Sequence, residues 1–189
     1  MKEDFQGSLK GQFLLAMPGL VDPNFFQTVT CISEHTSEGA LGLVVNRVHG
    51  SLKVGDIFEE LDIVSGSLAA AAPVYIGGPV HVGEIFILHG PPFEGSGCLR
   101  IGPTLAMSNS RDVLKAIAEE RGPDSFIVVL GCAGWAGGQL EDEILQNAWL
   151  TGPVNEQIIF ETPVDERWNS AMKRLGVDPS ALSGTAGTA

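Results

Sequence analysis

The apolar runs of this chain are short, and glycine or proline closes them. Phe13-Leu-Leu-Ala-Met17 lies between Gly11 and Pro18-Gly19, and Pro73-Val-Tyr-Ile76 ends in Gly77-Gly78-Pro79. Glu84-Ile-Phe-Ile-Leu-His89 stops at Gly90-Pro91-Pro92, and Phe126-Ile-Val-Val-Leu130 runs into Gly131. Glycine admits the positive φ of tight turns and proline lacks a ladder donor, so these residues mark where strands end. Short runs rich in β-branched and aromatic residues read as buried strands. None approaches the roughly 18 apolar residues that a membrane-crossing helix requires. The N-terminal Met-Lys-Glu-Asp is not the basic start of a secretory signal, and Pro18 stops the first apolar stretch. The reading is a soluble, cytoplasmic chain without membrane association.

Between these runs the pattern predicts further elements. Residues 27–33 and 41–46 read as strands joined through the polar segment 34–39, a hairpin with a longer loop. Residues 157–160 read as another strand and 98–101 as a short one. Val54, Ile57, Phe58 and Leu61 share a helical face. A second helix spans residues 110–121, with Ser110 as N-cap and Val113, Leu114, Ile117 and Ala118 facing inward. A glycine-rich loop over residues 131–138 precedes a helix over 139–150. Thr162-Pro163 opens a last helix as cap and first residue, with Trp168, Met172 and Leu175 on one face. Several strands joined by tight turns, with helices between, give an α+β domain with a mixed, largely antiparallel sheet that curls on itself. One domain covers residues 1–182, and the Ser/Gly/Ala/Thr-rich segment 183–189 reads as a disordered tail.

Charge narrows the function classes. The chain carries 11 Lys+Arg against 23 Asp+Glu, a net charge of −12 over 189 residues. Acid exceeds base in every quarter, and no block of five like charges occurs. The pattern reads as a solvated surface rather than a dedicated cation-binding tail. It opposes direct nucleic-acid binding, which rests on clustered Lys and Arg at phosphates. Cys31, Cys98 and Cys132 are odd in number and lack CxxC spacing, which suits a reducing compartment better than a disulfide framework.

No local motif specifies a chemistry. The loop 131–138 lacks the P-loop and dinucleotide glycine spacings, and Glu141, Asp142 and Glu143 would repel a phosphate at the following helix. A tight strand-to-helix connection in which Trp135 packs is the simpler reading. His35, His49, His81 and His89 show no metal-ligand spacing, so no metal and no cofactor is expected. His35 follows Glu34 and His89 ends a strand, so each is a candidate acid–base group. Gly95-Ser96-Gly97 is a loop and not a nucleophile elbow, and Ser108, Ser110 and Arg111 read as helix capping.

Taken in order, several strings resemble the YqgE/AlgH family of bacterial proteins. They are Gly11-Gln-Phe-Leu-Leu-Ala-Met-Pro18, Asp22-Pro-Asn-Phe25, Glu34-His35, Gly39-Ala-Leu-Gly-Leu-Val-Val-Asn-Arg47, Gly77-Gly-Pro-Val80 and Leu88-His89. Ser110-Arg-Asp112, Gly134-Trp135, Gly138-Gln-Leu-Glu141, Asn147-Ala-Trp-Leu150 and Arg167-Trp168 complete the set. The resemblance implies a pseudo-barrel: a bifurcated sheet wrapped with flanking helices, classed α+β. It carries no established catalytic residues. The AlgH name implies a role in transcriptional regulation of exopolysaccharide synthesis, yet no helix-turn-helix or basic reading helix is visible here. Two departures stand out. Val48 follows Asn46-Arg47 where the family has proline, and the chain ends Gly187-Thr188-Ala189 where the family often ends Gly-His-Ala.

The polar members of this set, His35, Asn46, Arg47, His89, Ser110, Arg111, Gln139 and Glu141, fall at element ends, with Trp135 among them. Either they converge on one polar pocket, or they form a buried hydrogen-bonded network that locks an irregular barrel. The network takes precedence. Two function classes follow. One is a binding or regulatory protein acting through protein partners, its oligomeric state open. The alternative is a hydrolase-type enzyme in which His35 or His89 is the base and Arg47 or Arg111 holds an anionic substrate. An enzyme requires a hollow holding a histidine with a carboxylate partner, whereas a binding protein requires an exposed apolar patch or groove.

Overall fold

The structure is a computed structural model that describes residues 7–95 and 97–182. Ser96 and the segment 183–189 lie outside the described residues. Among the described residues ten strands are present: β1 Gln12–Ala16, β2 Val29–Thr36, β3 Gly39–Val44, β4 Val48–Lys53, β5 Pro73–Ile76, β6 Val80–His89, β7 Cys98–Arg100, β8 Ala106–Ser108, β9 Phe126–Ala136 and β10 Trp149–Pro153. Six helices join them: α1 Val54–Glu60, α2 Arg111–Ala118, α3 Gln139–Leu145, α4 Glu156–Phe160, α5 Arg167–Arg174 and α6 Pro179–Leu182. The sheet runs β10-β1-β2-β3-β9-β6-β8-β7, and β5 joins β9 to β4. Every pairing is antiparallel except β5 with β9. The chain is α+β, with a mixed, largely antiparallel sheet curled on itself.

Strand β9 explains the curl. Its first half pairs with β5 and β6 and its second half with β3, so one strand serves both branches of the sheet. Successive side chains of a strand point to opposite faces. Ile127 and Val129 therefore enter the inner core with Tyr75, Phe86 and Leu88. Val128, between them, joins Val74 and Ile87 in an outer core beneath α1 and α2. Ala133 and Trp135 join a third core with Leu14, Ile32 and Leu140, beneath α3. The inner core is completed by Ile158 and Ile159 of α4 and Trp168 and Met172 of α5. Full burial of each such side chain stabilises by about 1.5–3 kcal/mol.

Five sequence expectations are corrected. Thr162-Pro163 does not open the helix that carries Trp168: a 3-10 turn over Val164–Glu166 intervenes, and α5 begins at Arg167. The segment 131–136 is strand rather than glycine loop, and only Gly137 and Gly138 turn the chain into α3. Gly131 answers a packing demand, since its φ is 71° and a Cβ there would lie 2.8 Å from the Gly78 carbonyl oxygen. A Cβ on Gly77 would collide with the Gly131 carbonyl oxygen, so the two backbones pass where no side chain fits. Residues 34–36 extend β2, which leaves Ser37 and Glu38 as a two-residue turn in place of the longer loop. The helix expected over 139–150 ends at Leu145, and Trp149 already pairs with Ala16 as part of β10. Residues 157–160 are helical. The Asn155 side chain accepts the Ile158 N–H and starts a helix where the apolar run resembles a strand. Ser110 caps α2 as expected, accepting the Val113 N–H. No described helix is long and apolar enough to cross a membrane.

Candidate functional site

The candidate side chains fall into two regions. The larger one surrounds α3. His35, Ala40 and Trp135 lie in one row across β2, β3 and β9. From this row His35 reaches Glu141, with 2.8 Å between Nε2 and Oε1. The Leu9 backbone N–H reaches His35 Nδ1 at 2.9 Å. A backbone N–H can only donate, so Nδ1 holds the lone pair and Nε2 carries the proton that Glu141 accepts. Gly7, Ser8, His35, Thr36, Ser37 and Glu141 line an open hollow of about 350 Å³. The form expected of an enzyme site is thus present, a histidine with a carboxylate partner in a hollow. Both ring nitrogens are engaged by groups of the fold, Nδ1 by the Leu9 N–H and Nε2 by Glu141.

Helix α3 makes a second carboxylate anchor at Glu143, by sequence one of three successive acids in a helical turn. Glu143 Oε2 accepts the indole N–H of Trp135 at 2.9 Å and of Trp149 at 2.8 Å. Glu143 Oε1 accepts from Gln139 Nε2 at 2.9 Å, and Gln139 Oε1 accepts the Ala136 N–H. The two indoles meet edge to face, with ring centroids 5.9 Å apart. Phe25 packs on both, at 6.1 Å from Trp135 and 5.4 Å from Trp149. Asn46 and Arg47 hold the loop that presents Phe25. Asn46 accepts the Val29 N–H and donates to Gln27 O, while Arg47 donates to Pro23 O and Phe26 O. His35, Trp135, Gln139 and Glu141 thus surround α3, and Asn46 and Arg47 hold the loop whose Phe25 packs on Trp135. These side chains tie loops and helix to the sheet rather than facing a common void. A signal for Glu143 was absent because Trp135 and Trp149 become neighbours only once β9 and β10 flank α3.

The second region holds His89, Ser110 and Arg111. His89 is 1% exposed and Ser108 is fully buried. Gly90 O can only accept, so His89 Nδ1 donates to it at 2.7 Å and Nε2 accepts from Ser108 Oγ at 2.8 Å. Desolvation holds the His89 pKa below its ordinary value, against the opposing pull of the Gly90 carbonyl, so the ring stays neutral. The arrangement is that of a base beside a hydroxyl, and both side chains are buried. Ser110 caps α2, and Arg111 on the helix surface donates to the Leu61 carbonyl. No hydrogen bond among the described residues links this region to the first.

The matched string Arg167-Trp168 is also internal. Arg167 is 4% exposed and donates to Thr162 O, Val45 O and the Tyr75 hydroxyl. Trp168 donates to Ala16 O at 3.0 Å. The three cysteines are free thiols. Among the described residues no group of three His, Cys, Asp or Glu side chains has metal-holding geometry.

The apolar surface that the polar candidates do not occupy lies beside α1. Leu52, Ile57, Leu61, Val82, Ile85 and Leu130 border a groove of about 390 Å³, with Asp56 and Glu60 on its wall. Val82 is 68% exposed.

Comparison with known proteins locates the chain. A family model described as AlgH-like matches residues 13–180. A UPF0301 protein of Desulforapulum autotrophicum is 48% identical over 189 residues, covering 100% of both chains. One from Thioalkalivibrio sulfidiphilus is 48% identical over 178 residues, 94% of this chain and 95% of that one. The solution structure of the AlgH protein from Pseudomonas aeruginosa superposes with a TM-score of 0.80 at 44% identity, covering 100% of both chains. A protein from Corynebacterium diphtheriae shares the fold at TM-score 0.73 and 23% identity, over 94% of this chain and 92% of that one.

Proposed function

The chain belongs to the AlgH-like family, and from that premise we propose that it is a non-enzymatic binding protein that regulates through protein partners. One observation carries the reading. Both ring nitrogens of His35 and of His89 are engaged inside the fold, while an apolar groove stays open to solvent. A general base needs a lone pair within reach of its substrate. A partner surface needs exposed apolar area rimmed by polar groups, which the groove beside α1 supplies. Regulation in this reading is indirect, since a net charge of −12 opposes phosphate contact.

A hydrolase screen tests it against the alternative. Chromogenic carboxylic esters, thioesters and phosphomonoesters are offered to the wild type and to His35→Ala and His89→Ala. The reading expects wild-type turnover no higher than that of the two variants. Turnover that falls in either variant, with the fold intact by circular dichroism, supports the enzyme instead.

A further inference from the structure

We propose that the groove beside α1 is a docking site for a cationic amphipathic segment of a protein partner. The proposal rests on the binding reading above and names its site and the chemistry of its occupant.

The groove exists because a short helix covers a longer sheet face. Val74, Val128 and Ile87 stand in register across β5, β9 and β6 and are sealed beneath the helices. Two residues further along each strand, the same face continues as Ile76, Leu130 and Ile85, again in register. Helix α1 has seven residues, a length of about 10 Å. It covers the first row and leaves the second partly open, with Ile76 39% exposed. The register then slips between Val80 and Ile85, so residues 81–84 stand out from the ladder. Val82 and Gly83 of that bulge line the groove together with Leu52. An apolar floor of this kind is uncovered sheet core, and burying it is favourable by about 25 cal/mol per Å².

The wall chooses the occupant. Asp56 and Glu60 are the charged residues lining the groove, and no Lys, Arg or His lines it. They stand four apart on α1, one turn from each other; Asp56 Oδ2 also accepts the Lys53 backbone N–H at 2.7 Å, which leaves Oδ1 and the Glu60 carboxylate toward the groove. Lys or Arg at the same spacing along a partner helix meets both. An amphipathic segment with apolar anchors at i, i+3, i+4 and i+7 fills the floor at the same time. A second copy of this chain fits poorly, because a two-fold contact through the groove sets the same carboxylates against each other. The net charge of −12 adds to that repulsion.

The probe is a fluorescein-labelled amphipathic Leu/Lys peptide, compared with a Leu/Glu peptide of the same apolar spacing. Binding is read by fluorescence anisotropy near physiological salt. The Leu/Lys peptide is expected to bind one-to-one and the Leu/Glu peptide not to bind. Val82→Asp and Glu60→Lys each raise Kd about tenfold or more. Glu156→Gln, a carboxylate away from the groove, changes Kd by less than about twofold. Val82 and Glu60 are exposed, so circular dichroism should report an intact fold for both variants. Equal binding of the two peptides, or Leu/Lys affinity untouched by Val82→Asp, overturns the site. A photo-reactive benzoylphenylalanine at position 82, tested in cells, separates this failure from failure of the binding reading. Discrete protein adducts at position 82 without Leu/Lys binding overturn the cationic assignment and leave the binding reading standing. Absence of adducts at position 82 and at control surface positions, together with absence of peptide binding, overturns both.

Discussion

His35 Nε2 donates to Glu141 Oε1 at 2.8 Å, joining β2 to α3 across 106 residues of sequence. The same ring accepts the Leu9 N–H, so one side chain clamps three segments. His35→Ala removes both contacts and leaves a backbone donor unpaired. It should cost about 1–3 kcal/mol in urea denaturation. Glu141→Gln, which retains a carbonyl acceptor for Nε2–H, should cost less than His35→Ala. Equal stability of His35→Ala and wild type would show that the clamp does not hold the fold.

Glu143 gathers three donors: two indoles on one oxygen and the Gln139 amide on the other. Glu143→Ala strands all three and should destabilise by about 2–3 kcal/mol. Glu143→Gln can satisfy the indoles or the Gln139 amide but not both, so its loss should be intermediate. Tryptophan emission, to which Trp135 and Trp149 contribute two of the three indoles, should change in the same order. Unchanged emission in Glu143→Ala contradicts the anchor.

How much of this was legible differs from residue to residue. Ser110 announced α2, because a cap is a local signal, and the strand at residues 73–76 was bounded by its own glycines. Gln157-Ile-Ile-Phe160 misled, since a four-residue apolar run does not distinguish a strand from a helical turn. Gly131 misled for another reason: glycine there marks two backbones passing closely, not a loop. Of the polar strings at element ends, His35, Gln139 and Glu141 make hydrogen bonds around α3. The division of the strings into two regions depends on strand order, which no local pattern carries. The groove was the least legible feature. Ile76, Leu130 and Ile85 are ordinary strand residues until the register sets them side by side.

Thr30 is fully buried, and its hydroxyl has no hydrogen-bond partner among the described residues. Replacing it with the isosteric valine removes an unpaired polar group without opening a cavity. Thr30→Val should therefore raise stability by about 1 kcal/mol in the same denaturation assay. A loss of that size would mean that the hydroxyl is satisfied by a bound water.

His89 makes stability depend on pH. An unperturbed histidine titrates near 6.5, and burial holds His89 below that value in the fold. Between the two values the unfolded chain binds the extra proton. Stability is therefore fully present above pH 6.5 and falls as the pH drops below it toward the folded-state value. Urea midpoints for the wild type should decline over this window, and the decline should flatten in His89→Gln. Parallel pH profiles would contradict a neutral, desolvated ring.

Hydrogen exchange with and without the Leu/Lys peptide tests the central claim most directly, because it shows where a partner lands. The groove assignment predicts new protection confined to residues 52–61 and 80–85, with the His35–Glu141 region unchanged. Protection at residues 7–9, 35–37 and 139–141, with the groove unaffected, would place the working surface at the polar network and contradict it.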